Sequence, residues 1–139
     1  MTHVLKISDA ANLAFHAMVF LAANSDRLVS NHEIATALNV SENHLSKVLQ
    51  RLAKDGLVKS IRGPKGGFAL EKPADQITLL DIFQAIDGPL ASSNCLLGNP
   101  LCNGKCILGE LLKTMNKQVK DYFSATKISE LTMSYGGAI

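Results

Sequence analysis

The sequence predicts a mainly α-helical fold with one small β-hairpin. Three observations predict it. Apolar residues recur at helical spacing over most of the chain. Between Leu57 and Leu70 that period gives way to two strand-like runs around a Gly/Pro-rich turn. Short polar residues stand where several of the helical runs begin. The 139 residues, 47% hydrophobic, are enough for one globular core, and the absence of Trp leaves the packing to Leu, Ile, Val and Ala.

Each element has its own local signal. Ser8 to Ala23 reads as a first helix, with Leu13, Ala14, Ala17, Met18, Leu21 and Ala22 on one face. Asn24-Ser25-Asp26 ends it. Ser30 begins a second helix as its N-cap, and Glu33 three residues on completes the pattern of a capping box. Ile34, Ala35 and Leu38 form its buried side, and Asn39-Val40 makes a tight turn. Ser41 caps a third helix whose inner stripe is Leu45, Val48, Leu49 and Leu52 and whose outer face carries Asn43, His44, Ser46, Lys47, Gln50 and Arg51. Gly56 stops it.

Leu57 to Ile61 and Phe68 to Leu70 are the hairpin strands, joined by Arg62-Gly63-Pro64-Lys65-Gly66-Gly67. Thr78 caps a fourth helix that runs to Ala85 or Ile86, with Asp81 in its first turn, and Asp87-Gly88-Pro89 breaks it. Leu90 to Lys105 lacks periodicity and reads as a loop. From Cys106 the helical pattern returns, with Ile107, Leu108, Leu111, Leu112, Met115, Val119, Tyr122 and Phe123 on one stripe. A last short helix is expected over Lys127 to Met133.

Composition excludes several functions. No apolar run approaches the ~18 residues of a membrane span, and Met1 to Ile7 lack the basic-then-apolar pattern of a signal peptide; the expected setting is the cytoplasm. No Cys-x-x-Cys pair sits at a helix start, and the glycine-rich turn precedes a strand rather than a helix, so neither a thiol oxidoreductase nor a nucleotide-binding enzyme is expected and no small-molecule substrate is implied. The net charge is only +2, but it is unevenly spread. His44 to Lys72 holds seven basic and two acidic residues, while the rest of the chain holds seven and ten. A basic segment in a nearly neutral chain suits a polyanion.

Helix, short helix, tight turn, helix and hairpin, in that order, make a winged helix-turn-helix. Its third helix needs a narrow apolar inner stripe and a polar outer face for base edges. Glu42, Asn43, His44 and Lys47 lie near the N-terminus of that helix, where an Asn can pair with adenine and a Glu can accept from cytosine. Ser41 and the helix N-terminus can hold a phosphate. Arg51, Lys54 and Lys59 suit phosphate neutralisation. Arg62 and Lys65 at the hairpin tip could enter a narrow minor groove. The expected ligand is double-stranded operator DNA; a winged helix that binds protein instead would lack the need for a basic wing.

The runs Asn43-His44-Leu45-Ser46-Lys47-Val48-Leu49, Gly56-Leu57-Val58 and Arg62-Gly63-Pro64-Lys65-Gly66-Gly67-Phe68 resemble the signature of the IscR/NsrR/CymR family of bacterial repressors. So do Ile77-Thr78-Leu79 with Asp81-Ile82, Ala85-Ile86-Asp87-Gly88, and Leu13-Ala14-Phe15-His16-Ala17-Met18 after Ile7-Ser8. The resemblance implies a homodimer that binds two operator half-sites, with a long C-terminal helix swapped across the dimer axis. The expected organisation is a winged helix-turn-helix over residues 1–88, a cysteine-bearing sensor loop over 89–106, and a dimerisation helix with its tail over 107–139.

All three cysteines, Cys95, Cys102 and Cys106, fall within twelve residues. Thiolates are soft ligands that suit iron–sulfur clusters, zinc or Cu(I), and an odd count cannot pair off within one chain. Cys106 is expected at a helix start, where the dipole favours its thiolate. The resemblance implies that these three are the ligands of a [2Fe-2S] or [4Fe-4S] cluster, as in the iron–sulfur members of the family, and that the protein senses nitric oxide, redox state or cluster supply. The chain departs from the family pattern in a shorter gap before the third cysteine and in its fourth ligand. Gly109 stands where one branch has a histidine, and Asn12 where another has a carboxylate. His16 ranks first as fourth ligand, then Asp9, then Glu110 or an exogenous group; the other reading of His16 is a helix-face residue packing at a dimer interface. A thiol-oxidation or zinc switch is the alternative. His3 and His32 read as surface residues.

Overall fold

The computed structural model describes residues 7–90, 107–108 and 110–134. Its helices are α1 (Asp9–Ala23), α2 (Asn31–Leu38), α3 (Glu42–Lys54), α4 (Leu79–Asp87) and α5 (Leu111–Ala125). An antiparallel hairpin, β1 (Val58–Ile61) and β2 (Gly67–Leu70), follows α3, and a seven-residue 3-10 turn, Ile128–Ser134, closes the described chain. The fold class is the one the sequence predicts, and element limits shift by one or two residues, the usual scale for helix ends, except at the start of α5.

α1 is the centre of the core rather than an amphipathic surface helix. The six expected residues are buried, and so are Ala11, Val19 and Phe20 on other faces. A helix apolar nearly all round must be enclosed; α3, α4 and the C-terminal 3-10 turn all pack against it. α3 contributes Leu45, Val48, Leu49 and Leu52, and α4 contributes Leu79, Ile82, Phe83 and Ile86.

The caps follow the sequence with one exception. Ser8, Ser30 and Ser41 each accept a hydrogen bond from the backbone amide three residues on. Thr78 and Asp81 form a full capping box, each side chain bonding the other's backbone N–H. The box expected at α2 is only half made. Glu33 donates its amide to Ser30, but its carboxylate goes to Arg27 instead of back to the cap. Asn39 ends α2 in the left-handed region with φ 56°.

The hairpin is anchored by a contact that local patterning does not reveal. Val29 pairs with Phe68 as an isolated antiparallel bridge, with N···O distances of 3.0 and 2.7 Å, so the wing is tied to the segment before α2. Two glycines of the turn are sterically required. A Cβ on Gly66 would lie 1.9 Å from the Ile61 carbonyl oxygen, and one on Gly67 2.8 Å from that of Val29.

α5 begins at Leu111, later than expected, with residues 107, 108 and 110 in turns ahead of it. Cys106, expected at the start of this helix, lies outside the described residues. The last turns of α5 dock on their own chain. The Phe123 ring packs edge-on against Phe15 at 5.6 Å between centroids and tilted against Phe83 at 5.8 Å. Among the described residues no helix is long and apolar enough to cross a membrane.

Candidate nucleic-acid interface

The polar face of α3 and the basic hairpin are presented to solvent. Ser41, Glu42, Asn43, His44 and Lys47 are all exposed, beginning at the cap and running along the first two turns of the helix. The N-terminus of α3 is rigidly set: Ser41 Oγ accepts from the His44 amide at 3.0 Å, and the Asn31 side chain donates to the Glu42 carbonyl at 3.3 Å and contacts Ser46 Oγ. On the hairpin Lys59, Arg62 and Lys65 are exposed. Ion pairs among the described residues join Arg27 to Glu33, His32 to Glu42, Lys113 to Glu110 and Lys117 to Asp121. Lys47, Lys54, Lys59, Arg62 and Lys65 take part in none of them, which leaves their charge available to an external anion.

Arg51 is differently placed from those lysines. Its guanidinium donates to the Ile86 carbonyl at the end of α4, bracing α3 against that helix. The same end is held from the other side, where Ser8 Oγ donates to the Asp87 carboxylate at 2.8 Å. Arg51 thus has a structural bond in addition to the phosphate role expected of it. Its position on an apolar-striped helix gave no sign of that bond, which spans 35 residues of chain.

A surface cleft of about 560 Å³ lies between α1 and the turn from α2 to α3. It is lined by Asp9, Asn12, Leu13 and His16 of α1, by Ala37, Leu38 and Val40, and by His44 of α3. Two fourth-ligand candidates, His16 and Asp9, are thus brought together with one predicted base-reading residue, His44. Cys95, Cys102 and Cys106 lie outside the described residues, and Glu110 lies just ahead of α5. Among the described residues no group of three or more His, Cys, Asp or Glu side chains converges to hold a metal ion.

Two surface pairs carry electrostatic shifts. The Arg27 hydrogen bond holds the Glu33 carboxyl below the usual glutamate range, and Arg27 is raised in turn. Lys117 is raised by its hydrogen bond to Asp121.

Comparison with known proteins places this geometry. Residues 7–134 match the model of Rrf2, described as iron-dependent transcriptional regulators. The chain belongs to the Rrf2 family. An HTH-type transcriptional regulator of Aquifex aeolicus (strain VF5) is 36% identical over 128 residues, 89% of each chain. The solved structure of CymR, the global cysteine regulator of B. subtilis, superposes with a TM-score of 0.81 at 31% identity, covering 94% of this chain and 98% of that one. IscR from T. potens gives a TM-score of 0.74 at 24% identity, covering 97% of this chain and 91% of that one, and shares the fold. The protein is accordingly a DNA-binding transcriptional regulator with a winged helix-turn-helix, and not an enzyme.

Proposed function

We propose that this Rrf2-family regulator is a cytoplasmic homodimeric repressor that reads a two-half-site operator and tunes its affinity through an iron–sulfur cluster held by Cys95, Cys102 and Cys106. The observation that carries the DNA-reading part is the juxtaposition of an exposed polar α3 N-terminus with a basic wing whose cations are unpaired within the described residues. Glu42, Asn43, His44 and Lys47 face base edges, Ser41 and the α3 N-terminus hold a phosphate, and Arg51, Lys59, Arg62 and Lys65 neutralise the backbone or enter the minor groove.

The sensing part rests on donor chemistry. Three thiols within twelve residues form a soft donor set that fits a cluster. A fourth donor can come from the α1 cleft, where His16 precedes Asp9 in preference, or from outside the chain. A bound cluster would supply iron open to nitric oxide or oxidants. The chain's own part is to hold that iron next to elements that set α3: Asp9 and His16 share their cleft with His44 of the reading helix.

Anaerobic purification with a visible spectrum and iron and sulfide counts tests this reading. A brown protein with absorption near ~400 nm and matching iron and sulfide supports the cluster. A colourless protein after anaerobic reconstitution rejects it in favour of a thiol-oxidation or zinc switch. That second reading is favoured by the likeness to the cysteine regulator CymR, which exceeds the likeness to IscR in both identity and TM-score.

A further inference from the structure

The first turn of α2 grips the reading end of α3 through two adjacent side chains. Asn31 bonds the Glu42 carbonyl and contacts Ser46 Oγ. His32 Nδ1 lies 3.0 Å from Glu42 Oε2. The Asn31 contact is structural and costly, because its Oδ1 is buried with no hydrogen-bond partner among the described residues. The His32 contact is different in kind. Its side chains are 76% and 57% exposed, so it adds little to stability. What it can set is orientation.

Glu42 is the first residue of α3 and carries the only carboxylate among the predicted base-reading side chains. An unrestrained carboxylate there has two unproductive options. It can fold back on the free amides of the helix N-terminus, or it can face the DNA backbone as a like charge. An imidazole N–H bonded to Oε2 restrains the carboxylate against both, and it leaves Oε1 as an acceptor. In the major groove both cytosine N4 and adenine N6 donate, and a carboxylate, having no hydrogen to give the adenine N7 beside that donor, pairs with cytosine.

We propose that His32, on α2, is a specificity-determining positioning residue that acts through Glu42 to select a cytosine in each half-site. The proposal rests on the DNA-reading role given to α3 above. It assigns a sequence-reading task to a residue outside the recognition helix.

The test is selection of bound duplexes from a randomised pool by the wild-type protein, followed by titration of the selected duplex and its single-base variants. His32→Ala, Glu42→Ala, the double variant and His32→Gln are titrated in parallel. Glu42→Ala should erase about ten-fold discrimination at one base pair per half-site. His32→Ala should lose several-fold at that same base pair and nowhere else, with no further loss in the double variant. His32→Gln, which keeps a neutral donor, should retain part of the preference. An unchanged preference in His32→Ala, or losses that simply add in the double variant, overturns the proposal while leaving DNA reading intact. A wild-type protein that enriches no sequence overturns the DNA-reading role itself.

Discussion

α3 and α5 look alike in sequence and end differently in the structure. Both are amphipathic helices with an apolar stripe and a charged outer face. In α3 all four stripe residues, Leu45, Val48, Leu49 and Leu52, are buried within the chain. In α5 only Phe123 is buried, while Leu111 and Tyr122, on one face three turns apart, remain about half exposed at 53% and 57%. Ile107, just ahead of α5, is 95% exposed. Helical periodicity thus reports that a stripe exists and not what covers it. The α3 stripe closes the core and frees the opposite face to read DNA. The α5 stripe is only partly covered among the described residues, and the proposed homodimer would bury the rest.

The largest expected effect lies on the α3 side of this contrast. Leu49→Ala removes a fully buried side chain and should cost about 2–5 kcal/mol. Its thermal or denaturant midpoint should fall at every protein concentration, since the lost contacts lie within one chain. The next largest lies on the α5 side. Leu111→Lys or Tyr122→Lys should weaken self-association by more than about ten-fold in sedimentation equilibrium, and should shift the melting midpoint of the separated chain little. If either charge lowered stability at all concentrations as Leu49→Ala does, the contrast would fail.

Smaller effects sharpen the account of how the helices are placed. Thr78→Ala removes the hydroxyl that accepts from the Asp81 amide in the α4 capping box, keeps the residue-78 amide that donates to the Asp81 carboxylate, and should cost about 1 kcal/mol. The smallest change expected is Arg27→Ala, which removes an exposed ion pair. Because the bond to Arg27 lowers the Glu33 pKa in the folded state, its contribution is present above the ordinary glutamate pKa and fades as pH falls through the lowered value. The difference in melting midpoint between wild type and Arg27→Ala should therefore shrink on acidification; a difference that grows would contradict the pairing.

What was legible in the sequence was local. Ser30, Ser41 and Thr78 announce helix starts because a cap bonds an amide three residues away. The hairpin is announced by a glycine-rich turn that two strands must flank. What was not legible depends on distant partners. Arg27 diverts Glu33 from the capping box, Phe68 pairs with Val29, and Arg51 bonds Ile86. The cleft gathers Asp9, Asn12 and His16 with His44, four residues drawn from two helices. His32, read from sequence as a surface residue, is indeed exposed, but its bond to Glu42 appears only when α2 is laid against α3. The apolar period of Ile107 and Leu108 continues that of α5, although both residues lie in turns ahead of it, so periodicity alone does not mark where the helix starts.

The central claim is that the cysteine segment governs what α3 does on DNA. The measurement that tests it most directly is operator affinity in one anaerobic preparation, titrated before and after nitric oxide treatment, beside a variant with Cys95, Cys102 and Cys106 all replaced by Ala. The account predicts that treatment shifts the wild-type Kd by about ten-fold or more, and that the triple variant binds with one affinity whether treated or not. A wild-type Kd that does not move on treatment, or a triple variant that responds as wild type does, would contradict it.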